Sequence, residues 1–509
     1  MKKIYNSLSD FSKENLKLKK SKKKVVLCHG VFDLYHAGHL DYFEEAKKNG
    51  DILIVSLTTD KYVKKAPNRP YFKFSNRAKV ISSIGLVDYV IKSDNETSIE
   101  VIKSLKPNIY FKGPDYKDHK KDPTGNIKKE IQNVKKFRGK IMYSSGRTFS
   151  SSKILNKFDE YDLLQKKTIS YIKANYNFEY IEKNIFNKLL KDQIVVVGDT
   201  IIDRFVFCKN IGISGKEAIR TVEKINEKKF VGGSIAVANN ISNFVKKVYL
   251  VTALGDHVPD QNFCKKNLNS NVNLKKIIIK NSPTTQKTKI VDIGTNQKLL
   301  GVYNFKDEEI TGANHNKLIK LFKESIRNIN LGIVLDYGHG LFNRKFADLI
   351  LSYKKKNFFF NTQINAANFG YHTIGKYKKA QFAIINEVEL RHEMRDRISE
   401  IEILIKLMSK KLEINTLVVT AGTKGSYAYS KQKNKVYHCA SFAKNVVDKI
   451  GAGDNFMSIF SLVSNYSKGD LMLPLFIASL STIDVLSGYG NQNNSNLSSL
   501  KKRIMYILK

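Results

Sequence analysis

The sequence predicts an α/β protein with two parallel sheets, each in its own domain. Short apolar runs rich in β-branched residues alternate with stretches of helical spacing, and strands that alternate with helices form parallel sheets. At 509 residues the chain is too long for one ordinary core, so we expect several domains. The hydrophobic content of 42% is that of a globular protein.

The first strand, loop and helix are predicted within residues 25–46, VVLCHGVFDLYHAGHLDYFEEA. The run begins with β-branched residues, as a buried strand does, and then breaks at a glycine. Leu40, Phe43 and Ala46 recur at three-residue steps, which indicates one face of a helix.

Two histidines and a glycine stand where this helix begins. Free backbone N–H groups and the helix dipole favour an anion there. His36 and His39, three residues apart, can both donate hydrogen bonds to one phosphate, and Gly38 keeps a side chain out of the way. Attack on the α-phosphate of a nucleoside triphosphate needs such electrostatic stabilisation. We predict both histidines as catalytic; the alternative is that each is an ordinary surface or core histidine.

The longer pattern GVFDLYHAGH resembles the signature of the cytidylyltransferase-like nucleotidyltransferases, a Rossmann-like α/β family. The resemblance implies that this domain transfers a nucleotidyl group. It also implies nucleotide contacts for four residues of the signature, which are Gly30, Phe32, Asp33 and Gly38.

Basic residues follow the next strands, at the sheet edge where open α/β sheets bind ligands. Each alone is no more than a solvated lysine or arginine. Lys65, Arg69, Arg77 and Lys112 nevertheless match basic positions in the adenylyltransferase half of the bifunctional heptose-phosphate enzymes, which they resemble. The resemblance implies a catalytic role for Lys65 and nucleotide contacts for Arg77 and Lys112.

Three serines close this domain, in GRTFSSSKIL at residues 146–155. Serine hydroxyls at a helix N-terminus can simply cap the helix. The segment also resembles the Ser-Thr-Thr motif of the same enzymes, with two extra residues before it. The resemblance implies that Ser150, Ser151 and Ser152 bind triphosphate oxygens.

Composition suggests the domain boundaries. Residues 1–23 are predicted to be a basic N-terminal extension, and residues 24–157 the nucleotidyltransferase domain. Residues 158–191 are charged, aromatic and helix-prone, without a strand pattern, so we predict a helical connector. Residues 192–509 are predicted to be the second α/β domain.

The second domain carries its clearest chemistry in DKIGAGDNF, residues 448–456. Small residues before a helix leave backbone N–H groups open to a γ-phosphate, and Asp454 can take the proton from an attacking hydroxyl. A GxGD pattern alone is weak evidence for a kinase. Together with the glycines at 232–233, NEVE at 386–389 and TAGTKGS at 420–426, it resembles the ribokinase-like (PfkB) sugar kinases. A P-loop kinase is excluded as a competing interpretation because the chain has no GxxxxGK[ST] pattern.

The resemblance to these kinases, and to the kinase half of the heptose-phosphate enzymes in particular, implies a role for each residue. Asp454 would be the general base, and Asn386 and Glu389 would organise Mg²⁺. The residues implied at the nucleotide are Thr420, Gly422, Gly451, Ala452 and Gly453. The residues implied at the sugar are Asp203, Gly232 and Gly233.

The acceptor side departs from the resembled pattern. Ala236 stands where a sugar-binding Asn is usual, and His339 replaces Lys in DYGHG. Gly301 and Tyr303 take the places of an Arg and an Asp, and residues 361–363, NTQ, replace Asp-Pro-Lys. A polar group that binds a sugar hydroxyl is not lost without changing discrimination. We therefore expect an altered acceptor.

The formal charge of +40 permits a nucleic-acid partner, and a basic RNA-associated protein is one alternative. Lysines are spread along the whole chain, however, and residues 17–24 form its one dense run. We therefore predict no specific nucleic-acid binding. Cys28, Cys208, Cys264 and Cys439 are isolated, which argues for a reducing compartment. Without a signal-length apolar stretch, we expect a cytoplasmic protein without a membrane partner.

These patterns together predict synthesis of a nucleotide-activated sugar, similar to ADP-heptose. The second domain would phosphorylate a sugar or sugar phosphate with ATP, and the first would transfer a nucleotidyl group from ATP or CTP to a sugar 1-phosphate, both with Mg²⁺. The domain order would be the reverse of that in the resembled bifunctional enzymes. The alternative is a glycerol-phosphate-type cytidylyltransferase with a non-catalytic, sugar-sensing second domain. The sequence leaves the sugar, the base and a homo-oligomeric state open.

Overall fold

The computed structural model describes residues 3–63, 69–117, 126–145, 161–443, 446–487 and 495–508, without the side chain of Asp115. The chain divides into two compact units. The first unit consists of Met1–Tyr161 and Lys501–Lys509, and the second is Asp162–Leu500.

The first unit is built on a sheet of six parallel strands in the order β1-β4-β3-β2-β5-β6. Apolar side chains of successive residues enter two different cores, one on each face, as expected for a parallel sheet covered on both sides. The strands are β1 (Ile4–Tyr5), β2 (Val25–Gly30), β3 (Ile52–Thr58), β4 (Tyr89–Ser93), β5 (Ile109–Lys112) and β6 (Lys140–Tyr143). The described helices are Ser12–Lys20, Ala37–Lys47, Phe74–Ser83, Ile99–Leu105 and Asn126–Lys136.

The basic N-terminal segment takes part in this unit. Strand β1 pairs with β4, and Tyr5, Phe11 and Leu18 are buried in the core on one sheet face. The lysines of the helix Ser12–Lys20 are mainly exposed. The charge run is therefore the solvated face of an amphipathic helix.

The second unit contains a nine-stranded sheet in the order β11-β10-β7-β14-β15-β16-β17-β18-β19, parallel up to β17 and antiparallel beyond it. Its strands are β7 (Gln193–Gly198), β10 (Lys247–Gly255), β11 (Val272–Ile279), β14 (Leu331–Asp336), β15 (Asn357–Thr362), β16 (Phe382–Asn386), β17 (Thr416–Thr420), β18 (Ser426–Ser430) and β19 (Lys435–Cys439). The α/β class with mostly parallel sheets, predicted from the alternation of strands and helices, is confirmed in both units.

A separate four-stranded sheet, in the order β13-β12-β8-β9, completes this unit. The sequence analysis did not predict this sheet. Residues 194–203, IVVVGDTIID, form an apolar run that alone resembles a single strand. The run divides at Asp199, where the chain leaves the large sheet for the small one. The strands are β8 (Thr200–Ile213), β9 (Arg220–Gly232), β12 (Thr285–Asp292) and β13 (Lys298–Asn304).

Helices cover the large sheet, and the predicted connector is itself helical. The helix Leu163–Asn175 begins with a capping box between Asp162 and Gln165, and Gln165 donates to the Ser441 carbonyl at 2.6 Å. It therefore packs within the second unit. The helical segments of the connector are Leu163–Asn175, Phe178–Ile181, Glu182–Phe186 (a π turn) and Asn187–Leu189. The later helices are Gly233–Ser242, Val258–Lys266, Gly312–Ser325, Arg344–Ser352, Glu387–Met394, Ile401–Leu412, Ala452–Ser464, Met472–Leu486 and Leu497–Leu508.

Candidate active sites

The first candidate site lies where β2 ends and the helix Ala37–Lys47 begins, as the sequence predicts. His36 is the extended residue before the first turn, and its ring stacks on that of His39 with 4.0 Å between centroids. Phe43 is fully buried on the inner helix face, whereas Leu40 is 37% exposed. Phe43 and Ala46 thus belong to the buried face of the helix, as predicted, and Leu40 does not.

Aromatic side chains surround the two imidazoles. The ring of Tyr35 stacks against His39 at 5.8 Å, and the edge of Phe32 meets it at 5.2 Å. Phe32 has a left-handed backbone, with φ of 49°, and its ring would stand 2.9 Å from a Cβ at Gly30. Burial lowers the pKa of His36, so its imidazole is mainly neutral at pH 7 and keeps one N–H to donate.

Two predicted nucleotide contacts, Asp33 and Arg77, are engaged with the protein itself. The Asp33 carboxylate accepts the backbone N–H groups of Tyr71 and Phe72 at 2.8 and 2.9 Å. Arg77 is 2% exposed, and it donates to the carbonyls of Val31, Thr58 and Phe72 and to Asp60. Their contacts with a nucleotide stay predictions. In the structure both residues hold the loops beside the histidines in place.

Lys112 ends strand β5 and is 6% exposed. Its ammonium lies 3.4 Å from Glu130 and 4.3 Å from the centre of the Tyr116 ring. Burial alone would lower the pKa of Lys112, but Glu130 holds it well above its usual value. Burial would likewise raise the pKa of Glu130, and Lys112 lowers it to about 2. The lysine is therefore a fixed positive charge at the C-terminal end of its strand.

Lys65, Ser150, Ser151 and Ser152 lie outside the described residues. The sequence analysis missed Glu45, in the helix Ala37–Lys47, which holds the two residues that precede the serine segment. Its carboxylate accepts the Ser144 hydroxyl at 2.5 Å and the Ser145 backbone N–H at 2.9 Å. This contact fixes the chain just after β6, close to where the predicted triphosphate segment begins.

The second candidate site centres on the N-terminus of the helix Ala452–Ser464. Gly451 precedes it with φ of 80°, a left-handed conformation that favours glycine. A Cβ at Gly453 would meet no atom within 4 Å, so the first turn faces open space. Asp454 lies in this turn and accepts a hydrogen bond from the Tyr337 hydroxyl at 2.8 Å.

The environment of Asp454 adjusts its acidity. Burial raises the pKa of Asp454 to about 6, and the Asp203 carboxylate acts in the same direction, while the hydrogen bond from Tyr337 opposes them. A carboxylate with such a pKa is ionised at pH 7 and still basic enough to accept a proton from a hydroxyl.

Asp203 lies in strand β8, beside the helix Ala452–Ser464, and two glycines lie close to Asp203. A Cβ at Gly232 would stand 2.5 Å from Asp203 Oδ2, and Gly233 has φ of 55° and starts the helix Gly233–Ser242. Lys289 of β12 forms an ion pair with Asp203 at 2.5 Å. The glycines thus permit the backbone to approach a fixed carboxylate.

Asn386 and Glu389, the predicted Mg²⁺ residues, form a capping box. Each side chain accepts the backbone N–H of the other residue, at 2.9 and 2.8 Å, and Glu389 also accepts the N–H of Ile364 at 3.2 Å. Burial raises the pKa of Glu389 to about 7. Among the described residues, no cluster of three His, Cys, Asp or Glu side chains holds a metal by itself. The pair supplies amide and carboxylate oxygens, the ligand types that suit Mg²⁺, and its metal role stays a prediction.

Thr420 and Gly422 lie next to this pair. Thr420 ends β17 directly opposite Asn386 of β16. Gly422 has φ of 58°, and a Cβ there would meet no atom within 4 Å. The predicted nucleotide and metal residues therefore share the C-terminal edge of one sheet, the edge that binds ligands in open α/β folds.

Comparisons with known proteins match a different family to each of the two candidate sites. The pfkB family of carbohydrate kinases matches residues 191–469, more than half of the 509 residues. The chain belongs to the pfkB family. The cytidylyltransferase-like family matches residues 27–157. The predicted resemblance, with the nucleotidyltransferase domain before the kinase domain, is confirmed. The chain therefore joins a domain of the pfkB carbohydrate kinases to a cytidylyltransferase-like domain, two families of transferases.

Curated relatives match the N-terminal part. Bifunctional protein HldE of Campylobacter concisus is 41% identical over 130 residues, 25% of this chain and 27% of that protein. Bifunctional protein HldE of Campylobacter jejuni serotype O:6 is 45% identical over 111 residues, 21% and 24% of the two chains. The aligned part thus spans about a quarter of these relatives. Among solved structures, Arabidopsis thaliana ribokinase complexed with ribose and ATP has 17% identity and a TM-score of 0.49, and covers 63% of this chain and 99% of its own.

The pfkB domain carries a cavity of about 200 Å³. His339 lines it, buried, with Nδ1 2.8 Å from Asp307, and burial lowers its pKa. Asp199 also lines it and accepts the Tyr337 backbone N–H at 2.9 Å; burial, reinforced by Asp336, raises its pKa to about 7. Of these, the sequence analysis named His339 alone. Tyr337 lies within the DYGHG run, and Asp199 lies four residues before Asp203; this closeness to predicted site residues is the signal that could have found them.

Among the described residues, no helix has both the length and the apolar character needed to cross a membrane. The four cysteines are buried free thiols, as their isolated spacing predicts.

Proposed function

We propose that the protein makes a nucleotide-activated sugar in two steps, with one step in each unit. The pfkB domain phosphorylates a sugar or sugar phosphate with ATP. The cytidylyltransferase-like domain transfers a nucleotidyl group from ATP or CTP to a sugar 1-phosphate and releases pyrophosphate. The observation that carries the proposal is that one chain belongs to the pfkB family and also matches the cytidylyltransferase-like family.

In the kinase step, Asp454 takes the proton of the acceptor hydroxyl as that oxygen attacks the γ-phosphate. Tyr337 orients the carboxylate through its hydrogen bond. Backbone N–H groups of residues 451–453 stabilise charge on the transferred group, and Asp203 binds the sugar. Mg²⁺ held by the phosphates with Asn386 and Glu389 would neutralise phosphate charge.

In the nucleotidyl transfer step, His36 and His39 donate hydrogen bonds to the α-phosphate, where charge grows during attack. Their rings lie side by side in a stack, so that one phosphate is within reach of both. Lys112 contributes a fixed positive charge for the triphosphate.

Purified full-length protein incubated with ATP, CTP and a panel of sugars and sugar phosphates tests the proposal. ADP and pyrophosphate are followed separately. Release of each with a different substrate supports it. If no acceptor yields ADP while a sugar still raises the melting temperature, the second unit is a sugar-sensing module and the bifunctional proposal is wrong.

The pH dependence of the kinase step follows from Asp454. Because the pKa of Asp454 is raised to about 6, the base is protonated and inactive below that pH. We expect kcat/KM for the sugar to be level above pH 7 and to fall as pH decreases through about 6, approaching tenfold per pH unit. A pH–rate profile measures this, and a fall centred near 4 would show that the buried environment does not raise the pKa.

Replacement of Gly232 by alanine should weaken acceptor binding. The new Cβ would stand 2.5 Å from Asp203 Oδ2 and displace a carboxylate that Lys289 holds. We expect KM for the acceptor to rise about ten- to hundredfold, with KM for ATP unchanged. Gly215→Ala is the matched control, because a Cβ there meets no atom within 4 Å. Equal effects of the two substitutions would contradict the role of Asp203.

A further inference from the structure

A carboxylate is buried beside the predicted nucleotide site of the first unit. Glu130 lies on the helix Asn126–Lys136 and is 5% exposed. One of its oxygens accepts the backbone N–H of Ser98 at 3.0 Å, and the other accepts the Tyr110 hydroxyl at 2.9 Å. Ser98 precedes the helix Ile99–Leu105, and Tyr110 lies in β5. Two neighbouring elements therefore fix the position of the carboxylate.

This carboxylate faces the cation that the sequence predicts at the nucleotide. Tyr110 and Lys112 are two residues apart on β5 and so share one face of the strand. The Lys112 ammonium lies 3.4 Å from Glu130 Oε2, the oxygen that Tyr110 also contacts. Among the described residues, only Glu130 forms an ion pair with Lys112. A lysine ammonium has three N–H donors, and an ion pair at this distance does not use them all.

Burial and charge act in opposite directions on Lys112. Burial lowers the pKa of Lys112, and Glu130 outweighs this effect. The other titratable groups that face Lys112 or Glu130 are Cys28 and His29 of β2, Tyr110 of β5, Tyr116 after β5, and Tyr143 of β6. Burial raises the pKa of Cys28 to about 12 and also raises the pKa of Tyr143, so neither supplies a negative charge near pH 7. Without Glu130, the effect of burial would therefore dominate.

We propose that Glu130 is a positioning residue of the nucleotidyl transfer, because it keeps the Lys112 ammonium charged and fixed at the end of β5 for the triphosphate. Glu130 acts through Lys112 and does not bind the nucleotide itself. A buried lysine without a counter-charge tends to lose its proton, and a neutral amine stabilises phosphate charge poorly. The inference rests on the proposed nucleotidyl transfer, because it concerns the same site.

Glu130→Gln tests this role, since the amide has nearly the shape of the carboxylate without its charge. In this variant we expect kcat/KM for the nucleoside triphosphate to fall as pH rises, approaching tenfold per pH unit as Lys112 loses its proton. The wild type should be level over the same range, about pH 7 to 10. Glu130→Asp retains the charge and should retain the level profile. Pyrophosphate release at subsaturating ATP, and separately at subsaturating CTP, gives these profiles.

Glu100→Gln is the matched control. Glu100 is exposed in the same unit and pairs with Lys103 at 2.7 Å, so the loss of its charge should leave the profile level. His29 also faces Glu130, but histidine titrates on the acid side of pH 7, and the direction of the change thus separates it from Lys112. A folded Glu130→Gln protein with a level profile, or with the same loss at every pH, would overturn the inference.

A double variant separates positioning from a direct role. If Glu130 acts only through Lys112, the combination of Lys112→Met and Glu130→Gln should release pyrophosphate at least as fast as Lys112→Met alone, without a loss at alkaline pH. A further loss would show that Glu130 acts without Lys112 and would contradict the proposal. Should Glu130→Gln not fold, an NMR titration of isotope-labelled lysine in the wild type decides. A Lys112 that loses its proton below the ordinary lysine range would then overturn the inference.

If no acceptor yields pyrophosphate, the nucleotidyl transfer proposal fails, and nucleotide binding decides about Glu130. Calorimetric titrations with ATP and with CTP over the same pH range compare the wild type with Glu130→Gln. The second unit is identical in both proteins, so a difference between them arises in the first unit. Affinity that falls with rising pH in the variant alone supports the role of Glu130, and equal pH dependences overturn it.

Discussion

Replacement of Asp454 by asparagine is expected to slow sugar-dependent ADP formation about 10²- to 10⁴-fold, the usual contribution of a general base. Asparagine has nearly the same shape but cannot accept the acceptor proton. ATP binding should remain nearly intact, because the backbone N–H groups of residues 451–453 are unchanged. Steady-state ADP formation and nucleotide titration by fluorescence measure the two quantities.

The Tyr337 hydroxyl offers a graded control for this substitution. It donates to Asp454 at 2.8 Å and lowers the pKa of that carboxyl. In Tyr337→Phe the base is still present with a higher pKa, so the acid limb of the pH–rate profile should move upwards while activity at pH 8 persists. Full activity of Asp454→Asn at pH 8 would remove Asp454 from the mechanism.

Replacement of His36 by alanine is expected to lower pyrophosphate release about 10²- to 10³-fold, the range for loss of one donor to a developing charge. The stacked His39 ring, 4.0 Å away, would lose its neighbour and its orientation as well. A coupled assay with ATP and with CTP measures the loss.

The reciprocal experiment serves as the control for His36. The two motif sets lie in different compact units, so His36→Ala should leave ADP formation unchanged and Asp454→Asn should leave pyrophosphate release unchanged. A folded His36→Ala protein that loses both activities would contradict two independent sites.

The local motifs were predictable because their residues are neighbours in the chain. GVFDLYHAGH places His36 and His39 on one helical turn by its spacing alone, and the glycines before Asp454 indicate a helix N-terminus. At NEVE, residues 386–389, the same short spacing fits two interpretations, a helix cap and a metal site. Its spacing is that of a capping box, which the structure shows, and the predicted Mg²⁺ role concerns the same atoms.

The pairing that places Asp203, Lys287 and Tyr303 side by side in the four-stranded sheet was not predictable. These residues are brought together by strand pairing between distant segments, and a one-residue shift in register would point every side chain to the other face. Arg77 illustrates a second limit. The sequence does not show that this side chain donates to carbonyls of the surrounding loops, and its predicted nucleotide contact stays a prediction.

The burial of Asp454 has opposite consequences for catalysis and for the stability of the fold. Its pKa is raised from an ordinary value of 3.8 to about 6, so between these values the folded chain holds a proton that the unfolded chain has released. The contribution of this carboxyl to the free energy of unfolding is therefore greatest below about pH 4 and is lost as pH rises through about 6. The reaction needs the ionised form of Asp454. The kinase is therefore active in the pH range in which this residue contributes least to the stability of the fold.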